Sequence, residues 1–333
     1  MFRDITLYVF FIVLLASCNS DNEEACVFQP DVPAKVSLDF EILQDSLMNI
    51  SSKKDLVKIL TSNPAIRDYT FRRSEYPDDS VFVTEIYNRL TNPHLDTLYQ
   101  EVNRVFGDVS GLKTQFEEAF SNMKYYYPDF TPPKIQTVIS GLDTDLLVTD
   151  SLIIVSLDFF LGKEAKYRPK MYSYLLRKYD PNDIVPSCML IYGISNRFNK
   201  NQQTDKTVLA DMITYGKSFY FAKRMLPCEP DSVFIWYTPE EIAGSKKNED
   251  LIWARFIESQ VLFSTSNKVR QDYLGERPVT IQVGEKCPGR IGQWVGWRIV
   301  NKYAERHPDT DLQSLMAVDD AQKIFKQSGY KPG

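Results

Sequence analysis

The spacing of apolar residues changes several times along this chain, and each change predicts a different element. Residues 5–15 are apolar apart from Thr6, and Arg3 stands before them. That run is too short for a spanning helix and matches the hydrophobic region of a secretory signal. Val36, Leu38, Phe40 and Ile42 then alternate with other residues, the mark of a half-buried strand. From Ser52 onward the period lengthens to that of a helix. Ser52 precedes Leu56, Val57, Ile59 and Leu60, Pro64 can open a further helix, and Asp78-Asp79 introduces Val81, Val83, Ile86, Tyr87 and Leu90. Two more helices are predicted over 95–106, capped by Gly107, and over 112–126.

The run Tyr125-Tyr126-Tyr127-Pro128, followed by Pro132-Pro133, interrupts this pattern and predicts an internal boundary. After it, residues 134–140 and 146–160 are rich in Ile, Val and Leu and read as strands, with Asp150-Ser151 able to turn the second into a hairpin. Helical spacing returns from about residue 169 to the end, and no internal repeat is visible. The sum is an α+β fold, predominantly helical with a small central sheet. Residues 35–130 form its mainly helical part and 131–333 its sheet and remaining helices, packed as one globule.

Immediately after the signal-like run stands Leu15-Ala16-Ser17-Cys18, the lipobox pattern of bacterial lipoproteins. On that reading 1–17 are a signal peptide and Cys18 becomes a lipidated N-terminus. Acyl chains worth about 0.8 kcal/mol per buried methylene make a lasting anchor. The alternative is a plain secretory signal with a chance cysteine. Residues 18–34 are polar and acidic, with Asp21, Glu23, Glu24, Pro30 and Pro33, and read as a flexible tether. Asn19 stands after the cysteine in place of the aspartate that retains many lipoproteins at the inner membrane, which points to the outer membrane. Either face of that membrane is compatible with the sequence.

Composition narrows the function classes. A net charge of −5 argues against nucleic acid or anionic headgroups as the main partner. Cys26, Cys188, Cys228 and Cys287 remain in a compartment that permits disulfides, with three pairings open. Only two histidines occur, His94 before a helix and His307 before Pro308, both read as surface or capping residues. No Gly-x-Ser-x-Gly elbow accompanies them, and two histidines at separate loop-like positions are poor general bases, which argues against serine- or cysteine-nucleophile catalysis. Glu249-Asp250 after Asn248, and Asp319 with Gln322, read as helix N-termini and caps. No metal or cofactor is expected.

The predicted helix over 206–226 carries Leu209, Met212, Ile213, Gly216, Phe219 and Tyr220 on one face, with Asp211, Thr214, Lys217, Ser218 and Arg224 on the other. Glycine inside a helix costs about 1 kcal/mol relative to alanine, so something needs the missing side chain at Gly216. Gly289, Gly292 and Gly296 repeat at 3- and 4-residue steps ahead of Ile299 and Tyr303, leaving a second helix bare along one stripe. The two helices are expected to cross near Gly216. A phosphate-cradling loop is the alternative, but the spacing and the following Lys-Ser/Thr of a P-loop are missing. Arg290, Trp294 and Trp297, with Asp211, Tyr215 and Lys217, are candidates for a cleft at that crossing suited to a carboxylate or an aromatic-bearing ligand. For Trp294 and Trp297 themselves the favoured reading is that both are core residues.

Residues 209–221, followed by Met225-Leu226-Pro227, then Ile252-Trp253, the run from Pro288 to Val300, Asp320-Ala-Gln-Lys-Ile324 and Tyr330-Lys-Pro332 resemble the GldB family of gliding motility-associated lipoproteins of Bacteroidetes. The likeness runs from the lipobox to the end and is strongest over the last 130 or so residues. It implies a part in gliding motility and the linked type IX secretion apparatus, through contact with other envelope proteins, and no established catalytic activity. The family in turn looks distantly related to predicted zinc peptidases, in which one helix carries His-Glu-x-x-His and the next a further ligand. The equivalent first helix here is expected over 184–198, yet no histidine, aspartate or glutamate occurs from Pro186 to Gln203, and Tyr215 precedes Gly216 where a ligand glutamate would stand. The resemblance therefore implies a degenerate zincin-like scaffold without the chemistry. Two alternatives stay open: an envelope hydrolase using carboxylates around Arg290 and Trp294, and a peptide- or glycan-binding module using the same cleft.

Overall fold

The computed structural model describes residues 35–332; the signal segment, Cys18, Cys26 and the tether expected over 1–34 lie outside the described residues. Four short strands form one sheet: β1 (Phe40–Ile42), β2 (Lys134–Val138), β3 (Leu146–Val148) and β4 (Leu152–Ser156). Their order is β1-β2-β4-β3. β2 lies parallel to both β1 and β4, with Phe40 opposite Ile135 and Ile135 opposite Ile153. β3 closes the edge antiparallel to β4, with Leu147 opposite Ile154, through the turn at Asp150-Ser151. The strand predicted from Val36 is shorter than its alternation suggests. The Val36 amide donates instead to Ser121 Oγ at 2.8 Å, which draws that end onto a helix.

Between β1 and β2 the chain forms α1 (Gln44–Met48), α2 (Lys53–Ser62), α3 (Asp79–Leu90), α4 (Pro93–Phe106) and α5 (Ser110–Tyr126), with a π-helical turn over Ile66–Thr70. Their starts follow capping chemistry. Ser52 accepts from the Asp55 amide, Asp78 from Val81, and Asn92 from His94 just ahead of Pro93. After β4 come α6 (Ile184–Ile194), α7 (Val208–Met225), α8 (Asp231–Ile235), α9 (Pro239–Lys247) and α10 (Glu249–Glu258). The chain then forms α11 (Asn267–Leu274), α12 (Ile291–Arg306), α13 (Leu312–Ala317) and α14 (Ala321–Ser328). No helix among the described residues is long and apolar enough to cross a membrane.

The predicted boundary between residues 130 and 131 does not interrupt the core. Phe130 meets Phe120 of α5, Tyr192 of α6 and Phe198 at ring distances of 5.5, 6.1 and 6.4 Å. α6 ends four residues before its predicted limit because Ser195 turns extended. The turn lets Asn199 Nδ2 donate to both Gly193 O and Thr214 O at 2.9 Å, tying α6 to α7. The cap of α14 is Asp320, accepting from Lys323 N at 2.9 Å, and not Asp319, whose carbonyl is taken by the Gln202 amide.

The loop joining β2 to β3 crosses the C-terminal end of β4 and is held by one buried carboxylate. Asp158 accepts from Ser140 N at 3.0 Å and Leu142 N at 2.6 Å, beside two residues of positive φ, Gly141 and Leu142. Burial pushes its carboxyl up from the usual range, against those bonds. This clamp sets where the edge strand begins, and therefore where Asp145 and Leu146 stand.

Candidate functional site

A cleft of about 650 Å3 opens where α6, α7 and the start of β3 meet the ends of α11 and α12. Its apolar lining comes chiefly from Leu190, Ile191 and Ile194 of α6 and Phe219 of α7. α6 buries most of its length, yet Ile191 remains 40% exposed, because it faces this opening.

The polar wall is built from charged and aromatic side chains brought together from far apart in the chain. Asp145 accepts from its neighbouring Leu146 amide at 2.7 Å and from Tyr179 OH at 2.9 Å. Lys178 hydrogen-bonds the Glu276 carboxylate, whose other oxygen stands 3.4 Å from Arg290 Nε. The Trp236 ring lies near both cations, 4.9 Å from Lys178 Nζ and 5.0 Å from Arg290 Cζ, within cation–π range. Tyr215 of α7 completes the wall. Burial pushes its phenol up, and the nearby Asp211 and Glu276 charges push the same way.

Arg290 is only 6% exposed although it carries a full charge. It sits at positive φ (61°) just before α12, and Trp236 sits at positive φ (53°) just after α8. Such conformations cost a bulky residue about 1–3 kcal/mol and persist where the surroundings enforce them. Here the enforcing contacts are Arg290 Nη2 to Ile235 O and Tyr237 OH to Gly289 O, both 2.5 Å, with Gln293 Nε2 to Leu274 O at 2.8 Å. Two buried donors of this wall, Arg290 Nη1 and Trp236 Nε1, have no acceptor.

Of the six residues expected at the cleft, the structure brings Arg290 and Tyr215 to it and sends the other four elsewhere. Asp211 is paired with Arg270 of α11. Lys217 does not share an exposed face with Asp211. It is 1% exposed, because α7 is buried nearly all round. Trp297 stacks on Phe219 at 5.1 Å and meets Phe234 edge-on, and Trp294 is 2% exposed; both are core residues. The tryptophan beside the arginine is Trp236. Its position between two helices was legible in Ile235-Trp-Tyr-Thr-Pro239, but its left-handed backbone was not.

The glycine stripe divides between two neighbours. A Cβ on Gly216 would lie 2.3 Å from Gly296 O, and one on Gly296 would lie 1.9 Å from Met212 O, so α7 and α12 touch backbone to backbone. Gly292 faces Leu274 and Tyr273 of α11, and Gly289, outside the helix, faces the Arg277 carbonyl. Neither takes part in the α7–α12 crossing.

The α6 residues lining the cleft are Ser187, Leu190, Ile191 and Ile194, with no imidazole, thiolate or carboxylate among them. Among the described residues, no group of three or more His, Cys, Asp or Glu side chains is placed to hold a metal ion. This donor set does not fit zinc. Cys188 is a buried free thiol whose ionisation burial strongly opposes. Cys287 is likewise free, its pKa pushed up to about 12, while Cys228 is disulfide-bonded. His307 caps α12, its Nδ1 2.8 Å from Tyr303 O, and His94 lies in the first turn of α4.

A family model described as gliding motility protein GldB matches residues 25–332. No curated protein and no solved structure matches the chain.

Proposed function

Since the chain belongs to the GldB family, a family of gliding motility proteins, we propose that it is a lipid-anchored envelope protein of the gliding and linked type IX secretion machinery. It acts by binding other proteins, without catalysis. The match across residues 25–332 carries this reading. Cys18 holds the membrane, with the outer membrane favoured by Asn19, and the globule meets its partners. The scaffold is a degenerate relative of zinc peptidases. In support, two packed helices, α6 and α7, lie beside an antiparallel edge strand with the cleft between them, while the cleft-lining residues of α6 offer no metal donors. The hydrolase alternative needs free carboxylates near Arg290. Glu276 is engaged by two cations and Asp145 by Tyr179, so neither is poised as a general base.

Two results test this. Cys18→Ser is expected to abolish metabolic lipid labelling and release the protein from membranes; normal labelling of that variant ends the lipoprotein reading. Protein purified without a histidine tag or chelator should hold far less than one zinc per chain and turn over no peptide. Stoichiometric zinc surviving gel filtration, with hydrolysis lost to a chelator and restored by metal, would overturn the non-catalytic reading.

A further inference from the structure

A guanidinium offers five N–H donors and no acceptor, and taking it out of water is costly unless those donors are used. Arg290 is buried on the wall of an open cleft with Nη1 unpartnered, Nη2 on one carbonyl, and Nε facing Glu276 at 3.4 Å, too far for a good hydrogen bond. The adjoining Trp236 Nε1 is a second buried donor without an acceptor. This corner is rich in donors and short of acceptors. Glu276 is the only carboxylate within ion-pair reach of Arg290 among the described residues, and it is shared with Lys178 and 42% exposed.

We propose that the cleft binds an acidic peptide segment whose carboxylate displaces Glu276 and takes the unused donors of Arg290. This rests on the reading of the protein as a binding component, and supplies its ligand chemistry. Charge supports it: with Glu276 swung out, Lys178 and Arg290 face one remaining carboxylate, Asp145, which Tyr179 already occupies. Shape supports it too. Leu190, Ile191, Ile194 and Phe219 provide apolar lining beside the charge, suited to a peptide with aliphatic residues flanking its acidic one. The arginine fork then pairs with a carboxylate in the geometry it fits best. Glu276 serves as an internal placeholder, keeping the site closed until a better carboxylate arrives.

The test uses the full mature lipoprotein in detergent micelles and fluorescent peptides of alternating alanine and leucine. One peptide carries an internal glutamate and an amidated end, one a glutamine and a free C-terminal carboxylate, and one a glutamine and an amidated end. Anisotropy should show at least tenfold tighter binding of one or both carboxylate peptides than of the neutral one, and which of them binds identifies the source of the carboxylate. Glu276→Gln should tighten that binding several-fold. Arg290→Lys, which keeps the charge but loses the fork, should weaken it at least tenfold. Thermal melting checks that each variant is folded. Should Arg290→Lys fail to fold, the exposed Glu276 carries the decision. Equal binding of all three peptides, no binding of any, or weaker binding by Glu276→Gln would overturn the proposal. None of these results produces zinc-dependent hydrolysis, the outcome that removes the non-catalytic reading itself.

Discussion

Gly296→Leu is expected to lower the melting temperature by about 5 °C or more, by forcing apart the α7–α12 contact. Overpacking a filled core costs about 1–3 kcal/mol when side chains can shift aside. Here the obstacle is main chain: the new Cβ would stand 1.9 Å from the Met212 carbonyl oxygen, and Gly216 presents the mirror problem, 2.3 Å from Gly296 O. Neither helix can yield at one residue without tilting as a whole, so the upper end of that cost, about 3 kcal/mol, applies as a minimum. A domain of about 300 residues shifts by about 1.6 °C per kcal/mol. Gly244 provides the control. It also lies within a helix, yet a Cβ there meets nothing within 4 Å, so Gly244→Ala should be neutral or slightly stabilising. Circular dichroism melts of the three proteins decide it. An unchanged midpoint for Gly296→Leu would mean that the two backbones are not in contact.

Lys217→Met should be nearly as damaging for a different reason. The ammonium of Lys217 donates to three backbone carbonyls, Lys200 O at 2.6 Å, Val318 O at 2.8 Å and Met316 O at 3.1 Å. It thereby fastens α7 to the loop after α6 and to the exit of α13. Methionine keeps the volume but strands Lys200 O and Val318 O, while Met316 O keeps the Lys200 amide; a buried acceptor left without its donor costs about 1–3 kcal/mol. Hydrogen exchange should quicken at the Lys200 and Gln202 amides, whose acceptors Met316 O and Asp319 O belong to the same junction. Burial pulls the Lys217 pKa down to about 7, opposed by the nearby Asp319 charge. An unfolded lysine keeps its proton to about 10.4, so between those limits the unfolded chain binds more protons and stability rises with pH. The variant should lose that slope. A melt as high as the parent's, with the slope retained, would show that Lys217 is dispensable.

Much of the fold was readable because it follows from local chemistry. Caps at Ser52, Asp78 and Asn92 begin helices through bonds made within a few residues, and the turn at Asp150-Ser151 separates two apolar runs. Misreadings arose where a distant partner intervened. Ser121 captures the Val36 amide and shortens β1, Asn199 folds back on Gly193 and ends α6 early, and the loop carrying Gln202 claims Asp319 and leaves Asp320 to cap α14.

The sequence by itself determined the helical and strand periods, the family, and the bare glycines that let two helix backbones approach. These depend on residue type and near spacing, which the chain carries wherever it is folded. Only the tertiary structure decided the cleft. Lys178, Trp236, Glu276 and Arg290 converge from four separate segments, and two of them hold left-handed backbones that surrounding hydrogen bonds enforce. It also decided that Trp294, Trp297 and Lys217 belong to the interior. Helical spacing shows that a residue has a face. What that face meets is set by the elements packed against it, and α7 is covered on nearly every side.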